Sequence, residues 1–386
     1  MKRRTLIAVA AATCLTVGLA GGQALAQGAP VVVGVSISST GPAASLGIPE
    51  KQSIELMPKT LGGQPVKYVV LDDATDPSQA AKNARRLVES DQADVIIGSS
   101  AVPPSLAIAE VASHSKTPQI ALAPFAPKPE HLPWVFPLPQ SVDVMGSAVF
   151  DDMKAKGFKT VAFIGFADAW GEAWLKALQA REQAGDFKIV ASERYGRSDT
   201  SVTAQTLKIS AARPDAVLIG ASGSPASLPM RALHERGYKG QIYQTHGIAN
   251  NDYLRVAGKA SQGAILPSGP VLVVEQLDDA HPSKAAGAAY VKLYEDKYGA
   301  GSRNNFGAYA WDAYLLLDNA VAKAATSAQP GTAEFRQALR DALENVSELA
   351  VTHGVISMSP GNHSGFDARS RVLLEVDQGG WKLRSQ

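Results

Sequence analysis

Short apolar runs alternate with longer stretches in which apolar residues recur every three or four positions. Val31 to Ile37 is a continuous β-branched run, the pattern of a parallel strand buried on both faces. A Gly41-Pro42 turn leads into a helical stretch reaching about Thr60, and Val66 to Leu71 gives the next strand. Asp76 is placed to cap a helix that opens at Pro77 and runs to about Ser90, with Ala80, Ala84, Leu87 and Val88 on one face. Asp94 to Ile97 and Gln119 to Leu122 are strands three and four, with a helix starting at Pro103-Pro104 between them. Phe125 to Pro139 is proline-rich and reads as irregular chain. The alternation then restarts: Val161 to Ile164, Ile189 to Val190, Ala216 to Ile219 and Ile242 to Tyr243 are strands, separated by helices near 170–184, 202–212 and 225–236. Ala264 to Leu266 leads to helical blocks at about 282–298, 306–325 and 332–345, then to short strand-like pieces from Val355 to Leu383. Two blocks of alternating β and α predict two parallel sheets, each covered by helices on both faces.

The first residues differ. Lys2, Arg3 and Arg4 precede an apolar stretch from Leu6 to Leu19 that is too short to span a bilayer, and Ala24-Leu25-Ala26 ends it with a small-x-small cleavage pattern. A leader over 1–26 is therefore expected, with export to a periplasm; Arg3-Arg4-Thr5-Leu6-Ile7 leaves the twin-arginine route open beside the general one. The single cysteine, Cys14, falls inside the leader, so the mature chain is expected to lack disulfides and thiol chemistry. The roughly 360 residues that follow exceed one compact core and imply two domains. Charges nearly cancel, 37 basic against 36 acidic, with no basic patch, which excludes nucleic acid as a partner. No Gly-x-Ser-x-Gly elbow, phosphate loop or His-Glu-x-x-His motif is present, and the histidines lack metal-ligand spacing. Neither an enzyme, a metal nor a cofactor is expected.

Ser39-Thr40-Gly41-Pro42, Leu71-Asp72-Asp73-Ala74-Thr75-Asp76-Pro77, Asp94-Val95-Ile96-Ile97-Gly98, Trp170-Gly171-Glu172, Asp199-Thr200-Ser201 and Gly247-Ile248-Ala249-Asn250 follow one another along the chain. Their order and spacing resemble the periplasmic branched-chain amino acid (Leu/Ile/Val)-type solute-binding proteins of ABC importers, the type I periplasmic binding proteins, over essentially everything after the leader. The resemblance implies an α/β fold of two Rossmann-like lobes joined by a three-strand hinge. It assigns 27–140 plus 268–354 to the first lobe and 141–267 plus 355–386 to the second, with crossings near 139–142, 267–271 and 354–359. Three such linkers suit closure around a ligand. An importer permease is the implied protein partner, and a monomer the implied state. Some relatives bridge the acidic run to the loop after strand three with paired cysteines; here Thr75 stands at the first position and no cysteine is available at the second.

The same resemblance places a ligand in the cleft between the lobes, where loops feed helix N-termini whose amides hold anions. From the first lobe it nominates Leu46, then Ser99, Ser100, Ala101, Val102 and Ser105, then Pro124, Phe125 and Ala126; from the second lobe it nominates Trp170, Ser222 and His246, and from the helix near 306 it nominates Phe306. The bland reading of the serines is helix capping. Tyr309 and Trp311 read better as packing residues. Amino acid receptors of this family carry a carboxylate where His246 stands, to pair with the ligand ammonium, and often a tyrosine where Leu46 stands. An imidazole cannot replace that charge. With Phe125, Trp170 and Phe306 as flat walls, an apolar or aromatic carboxylate is the expected ligand, captured by hinge closure. His246 is then either a partner for a second polar group or a structural histidine. An amino acid receptor with its ammonium held elsewhere, a ligand-sensing module and an enzyme on the same scaffold remain alternatives.

Overall fold

The computed structural model describes residues 29–385; the leader expected at 1–26 lies outside them. The first lobe contains β1 (Val31–Ile37), α1 (Ala44–Leu56), β2 (Thr60–Leu61), β3 (Gln64–Asp72), α2 (Pro77–Glu89), β4 (Val95–Gly98), α3 (Val102–Ser115), β5 (Gln119–Ala121) and β6 (Val135–Pro137). The second contains α4 (Val142–Ala155), β7 (Thr160–Phe166), α5 (Ala169–Gln183), β8 (Lys188–Tyr195), α6 (Thr203–Ala212), β9 (Ala216–Gly220), α7 (Ser227–Glu235), β10 (Gln241–Gln244), α8 (Asn251–Ala257) and β11 (Ile265–Ser268). Then come α9 (Lys284–Tyr298), α10 (Asn305–Ala324), α11 (Ala333–Glu344), a hairpin of β12 (Leu349–Val351) and β13 (Gly354–Ile356), and finally β14 (Val372–Asp377) and β15 (Gly380–Ser385).

The first sheet runs β2-β3-β1-β4-β5-β6 and the second β15-β14-β11-β10-β9-β7-β8. β1 lies parallel between β3 and β4, with Val31 opposite Val66 and Val33 opposite Val95. Val33, Val35 and Ile37 pack with α10 and α11 on one face, while Val32 joins Ala84, Leu87 and Ile108 of α2 and α3 on the other. Burial on both faces is why this strand is apolar at successive positions. In the second sheet β7 pairs parallel with both β8 and β9, and its Val161 to Ile164 are fully buried.

Both sheets are mixed rather than wholly parallel. β2 pairs antiparallel with β3, and β14 pairs antiparallel with β11 and β15. Two-residue links, Gly62-Gly63 and Gln378-Gly379, can only reverse the chain between β2 and β3 and between β14 and β15, whereas β14 meets β11 from a distant part of the chain. Three further elements escape the sequence pattern. Val135–Pro137 is a parallel strand within the stretch expected to be irregular; it lies at the edge of its sheet, where proline is tolerated. Val142–Ala155 and Asn251–Ala257 are helices.

α10 and α11 return to the first core, as do Val346, Val351, Ile356, Met358 and Phe366. Val372 to Leu374 belong to the second core. The third passage between lobes therefore follows Phe366 rather than lying at 354–359, because the hairpin and the segment after it bury their apolar side chains against the first lobe. The other passages follow β6 and β11. Among the described residues no helix is long and apolar enough to cross a membrane.

Candidate functional site

The carboxyl ends of β1, β4 and β5 face those of β7, β9 and β10, and several helices begin in the space between. Three of these starts are capped by their own side chains. Asp168 accepts from the backbone N–H groups of Trp170 (2.9 Å) and Gly171 (3.3 Å), Thr245 from Gly247 (3.0 Å), and Asn304 from Phe306 (2.8 Å). α3 differs: its N-cap, Ala101, has no side-chain bond to give, and Pro103 and Pro104 carry no N–H. The first turn of α3 thus offers the Val102 amide and little else to an anion, a weaker site than an ordinary helix start.

A pocket lies in this space, with about 340 Å³ free of protein atoms, part of it open to solvent. Leu46, Ala101, Val102, Leu122, Ala123, Pro124 and Pro139 line it from the first lobe and its exit, Trp170, Ser222, His246 and Gly247 from the second, and Phe306 and Tyr309 from α10; Ser100 and Arg197 complete it. The lips touch: the Ser224 N–H donates to Ser45 Oγ across the lobes at 3.2 Å, and Gly223 lies against Ser45 and Leu46. The protein is therefore in a closed form.

Among the described residues no aspartate or glutamate lines the pocket, and Arg197 is the one permanently charged side chain that does. Its guanidinium is fixed on three sides. Nε donates to Asp168 at 2.6 Å, Nη1 donates to Ser222 Oγ at 3.2 Å, and the cation lies 4.2 Å from the centre of the Phe166 ring. Such a clamped fork is pre-oriented for a carboxylate. His246 presents the opposite case. It is buried, its ring meets Trp170 edge-on at 5.2 Å, and neither ring nitrogen has a hydrogen-bond partner. Burial, with His353 nearby, holds its pKa down to about 3, so it is neutral at physiological pH and offers one donor and one acceptor. Trp170 Nε1 is likewise buried without a partner. Orphan polar atoms of this kind cost free energy unless a bound molecule satisfies them.

Of the residues nominated from sequence, the pocket brings together Leu46, Ser100, Ala101, Val102, Pro124, Trp170, Ser222, His246 and Phe306. It does not include Ser99, Ser105, Phe125 or Ala126. Ser99 spends its hydroxyl on Asp73 (2.7 Å), and Ser105 spends its own within the loop, accepting from the Ser99 N–H and donating to the Ser99 carbonyl (both 2.9 Å). Phe125 packs partly buried against the second core and Ala126 is exposed. Trp170 lies in the first turn of α5. Leu122, Ala123, Pro139, Arg197, Gly247 and Tyr309 were not nominated. Arg197 follows a strand end, where cleft loops arise, and that position was the available signal.

Comparison with known proteins agrees with this architecture. Residues 30–379 match the family model described as periplasmic binding protein. An extracellular ligand-binding receptor from Rhodopseudomonas palustris HaA2 is 44% identical, with a TM-score of 0.91 over 92% of this chain and 100% of that one. A solute-binding protein of an ABC transporter from R. palustris, solved in complex with benzoate, shares the fold at 22% identity and a TM-score of 0.77, covering 92% of this chain and 96% of its own. An amino acid binding protein from Pseudomonas aeruginosa is 28% identical over 60% of this chain, which spans 64% of that relative's length. The chain therefore belongs to the periplasmic binding protein family, whose members bind solutes and are not catalysts.

Proposed function

We propose that this protein is the extracytoplasmic solute-binding component of an ABC importer and that it captures a small aromatic carboxylate by closing its lobes. The observation that carries the reading is the pocket wall: it offers a clamped guanidinium and flat apolar surfaces, and no carboxylate for an ammonium. An α-amino acid would bury its ammonium beside Arg197 with no counter-charge, at a cost of several kcal/mol. An aromatic acid meets the opposite situation. Its carboxylate pairs with Arg197, worth roughly 1.5–3 kcal/mol for a charge-assisted bond, and its ring lies among Trp170, Phe306 and Tyr309, where aromatic contacts add roughly 0.5–1.5 kcal/mol beyond burial. The likeness to a protein solved with benzoate supports the same class of ligand.

A thermal-shift screen tests this. Benzoate and 3,4-dihydroxybenzoate are expected to raise the melting temperature, and leucine, isoleucine and valine to leave it unchanged. Stabilisation by the three amino acids alone would replace this reading with that of an amino acid receptor.

A further inference from the structure

Behind Ser100 lies a buried network holding two carboxyl groups and, among the described residues, no lysine, arginine or histidine paired with either. The two are served unequally. Asp73 Oδ1 accepts from Ser38 Oγ (2.7 Å) and the Thr75 N–H (3.0 Å), while Oδ2 accepts from Ser99 Oγ (2.7 Å) and Ser36 Oγ (3.1 Å). Four donors are the surroundings of an ionised carboxylate. Glu50, on α1 and fully buried, has one contact: Oε2 meets Ser100 Oγ, and Oε1 meets nothing. A buried carboxylate anion with a bare oxygen and no cation would cost several kcal/mol, and protonation removes that cost. Burial holds the Glu50 carboxyl well above the usual range; the hydrogen bond with Ser100 pulls the other way without cancelling this, and the nearby Asp73 charge adds to the rise.

The state of Glu50 decides what Ser100 can do. A serine hydroxyl has one hydrogen and two lone pairs. The Ser38 N–H occupies one lone pair at 2.9 Å. If Glu50 were ionised, the Ser100 hydrogen would point back at it and a lone pair would be left over. If Glu50 is neutral, its O–H fills the second lone pair and the Ser100 hydrogen is free. Ser100 lines the pocket, so the free element is what the ligand meets.

We infer that Glu50 is a positioning residue: its neutral carboxyl donates to Ser100 Oγ and turns the Ser100 hydroxyl hydrogen toward the cleft, making this wall a donor to an anion. The inference rests on the carboxylate reading above and adds a second anchor, on the wall opposite Arg197. An ionised Glu50 would instead present an acceptor and favour an ammonium or a hydroxyl. The buried acid thus sets the ligand class without touching the ligand. Asp73, in the same network, is the charged group that acts on it, and the ionisable side chains facing α1 from α9 are Tyr290, bonded to Ser53 Oγ at 2.8 Å, and Tyr294 and Tyr298, bonded to Gln52.

Two measurements test this. Infrared difference spectra of the ligand-free protein and Glu50→Gln at neutral pH should show a protonated carboxyl C=O stretch that the variant lacks. Calorimetric titration with benzoate from neutral pH upward should show wild-type affinity falling about tenfold as Glu50 loses its proton. Glu50→Gln cannot ionise and its amide still donates to Ser100, so its profile should be flat. Glu50→Ala lacks the donor and should bind about tenfold more weakly throughout, with Glu50→Gln as the rescue. Benzoate capture without the carboxyl band, or parallel pH profiles for wild type and Glu50→Gln, would overturn the assignment. The band without capture of any acid in the screen would instead remove the carboxylate reading, and this inference with it.

Discussion

Two side chains, Arg197 and His246, divide the chemistry of the pocket. Arg197 is fully bonded on one side and supplies charge; His246 is unbonded on both nitrogens and supplies a neutral donor and acceptor. Their variants should therefore behave differently. Arg197→Gln removes a charge-assisted partner and leaves Asp168 without its cation, so benzoate affinity should drop about 10- to 100-fold. His246→Phe keeps a ring against Trp170 while deleting two buried, unpaired nitrogens. The ligand-free protein should be as stable as wild type or more so, whereas affinity for an acid with a second polar group, such as 3,4-dihydroxybenzoate, should fall about threefold to tenfold relative to benzoate. Calorimetric titration of both acids with both variants reads this. Equal losses for the two acids in His246→Phe would show that the histidine meets no polar group of the ligand. The two residues also differ in how far sequence exposes them. His246 is legible because the resemblance to amino acid receptors implies a carboxylate at its position. Arg197 follows β8 in a polar stretch, and only the folded chain brings it to Asp168 from the start of α5, Ser222 from the end of β9 and the Phe166 face.

The strands and helices that hold these side chains repeat one device in both lobes. In each, the helix after the first core strand carries a glycine in its opening turn, pressed onto the end of that strand. A Cβ on Gly47 of α1 would lie 2.1 Å from the Ser38 carbonyl oxygen, and one on Gly171 of α5 would lie 2.0 Å from that of Phe166. The obstruction is backbone, which cannot rotate away, so either helix must withdraw to admit a methyl group. Gly47→Ala and Gly171→Ala should each destabilise the protein by about 1–3 kcal/mol, read as a lower denaturation midpoint. Unchanged midpoints would mean that the strand–helix joints yield more easily than this packing implies. Sequence reads such elements well where burial is two-sided and long, as for Val31–Ile37, because continuous β-branched runs have few other uses. It reads them poorly where three residues suffice: Val135–Pro137 is a strand only because β5 lies beside it. β14 and β15 are visible as strand-like pieces joined by a two-residue link, but the direction of β14 against β11 is set by the return of the chain after Phe366, a long-range event with no local signature.

Capture by closure requires that the lobes move together at a hinge, and one side chain joins two of the three passages there. Gln140, after β6, accepts from the Tyr309 hydroxyl of α10 and donates to the Ser370 carbonyl at 2.7 Å in the last passage. Tyr309 in turn stacks on His353 at 3.9 Å, and His353 bonds to Asp312 (2.7 Å) and Asn305 (3.0 Å). Gly269, in the remaining passage, leaves no room for a Cβ against the His353 ring, which would be 2.0 Å away. Gln140 itself does not line the pocket. Its removal acts on the balance between open and closed forms, and a ligand that binds the closed form loses affinity in proportion to the fall in that form's population. Gln140→Ala leaves the Tyr309 hydroxyl and the Ser370 carbonyl buried and unpaired, which costs the closed form about 1–3 kcal/mol, or about 5- to 150-fold in apparent benzoate affinity. Small-angle scattering should show a ligand-free variant more extended than wild type, returning to the wild-type dimensions when benzoate saturates it. If affinity falls while the scattering profiles coincide with and without ligand, the Gln140 network serves to stabilise a lobe rather than to balance the hinge.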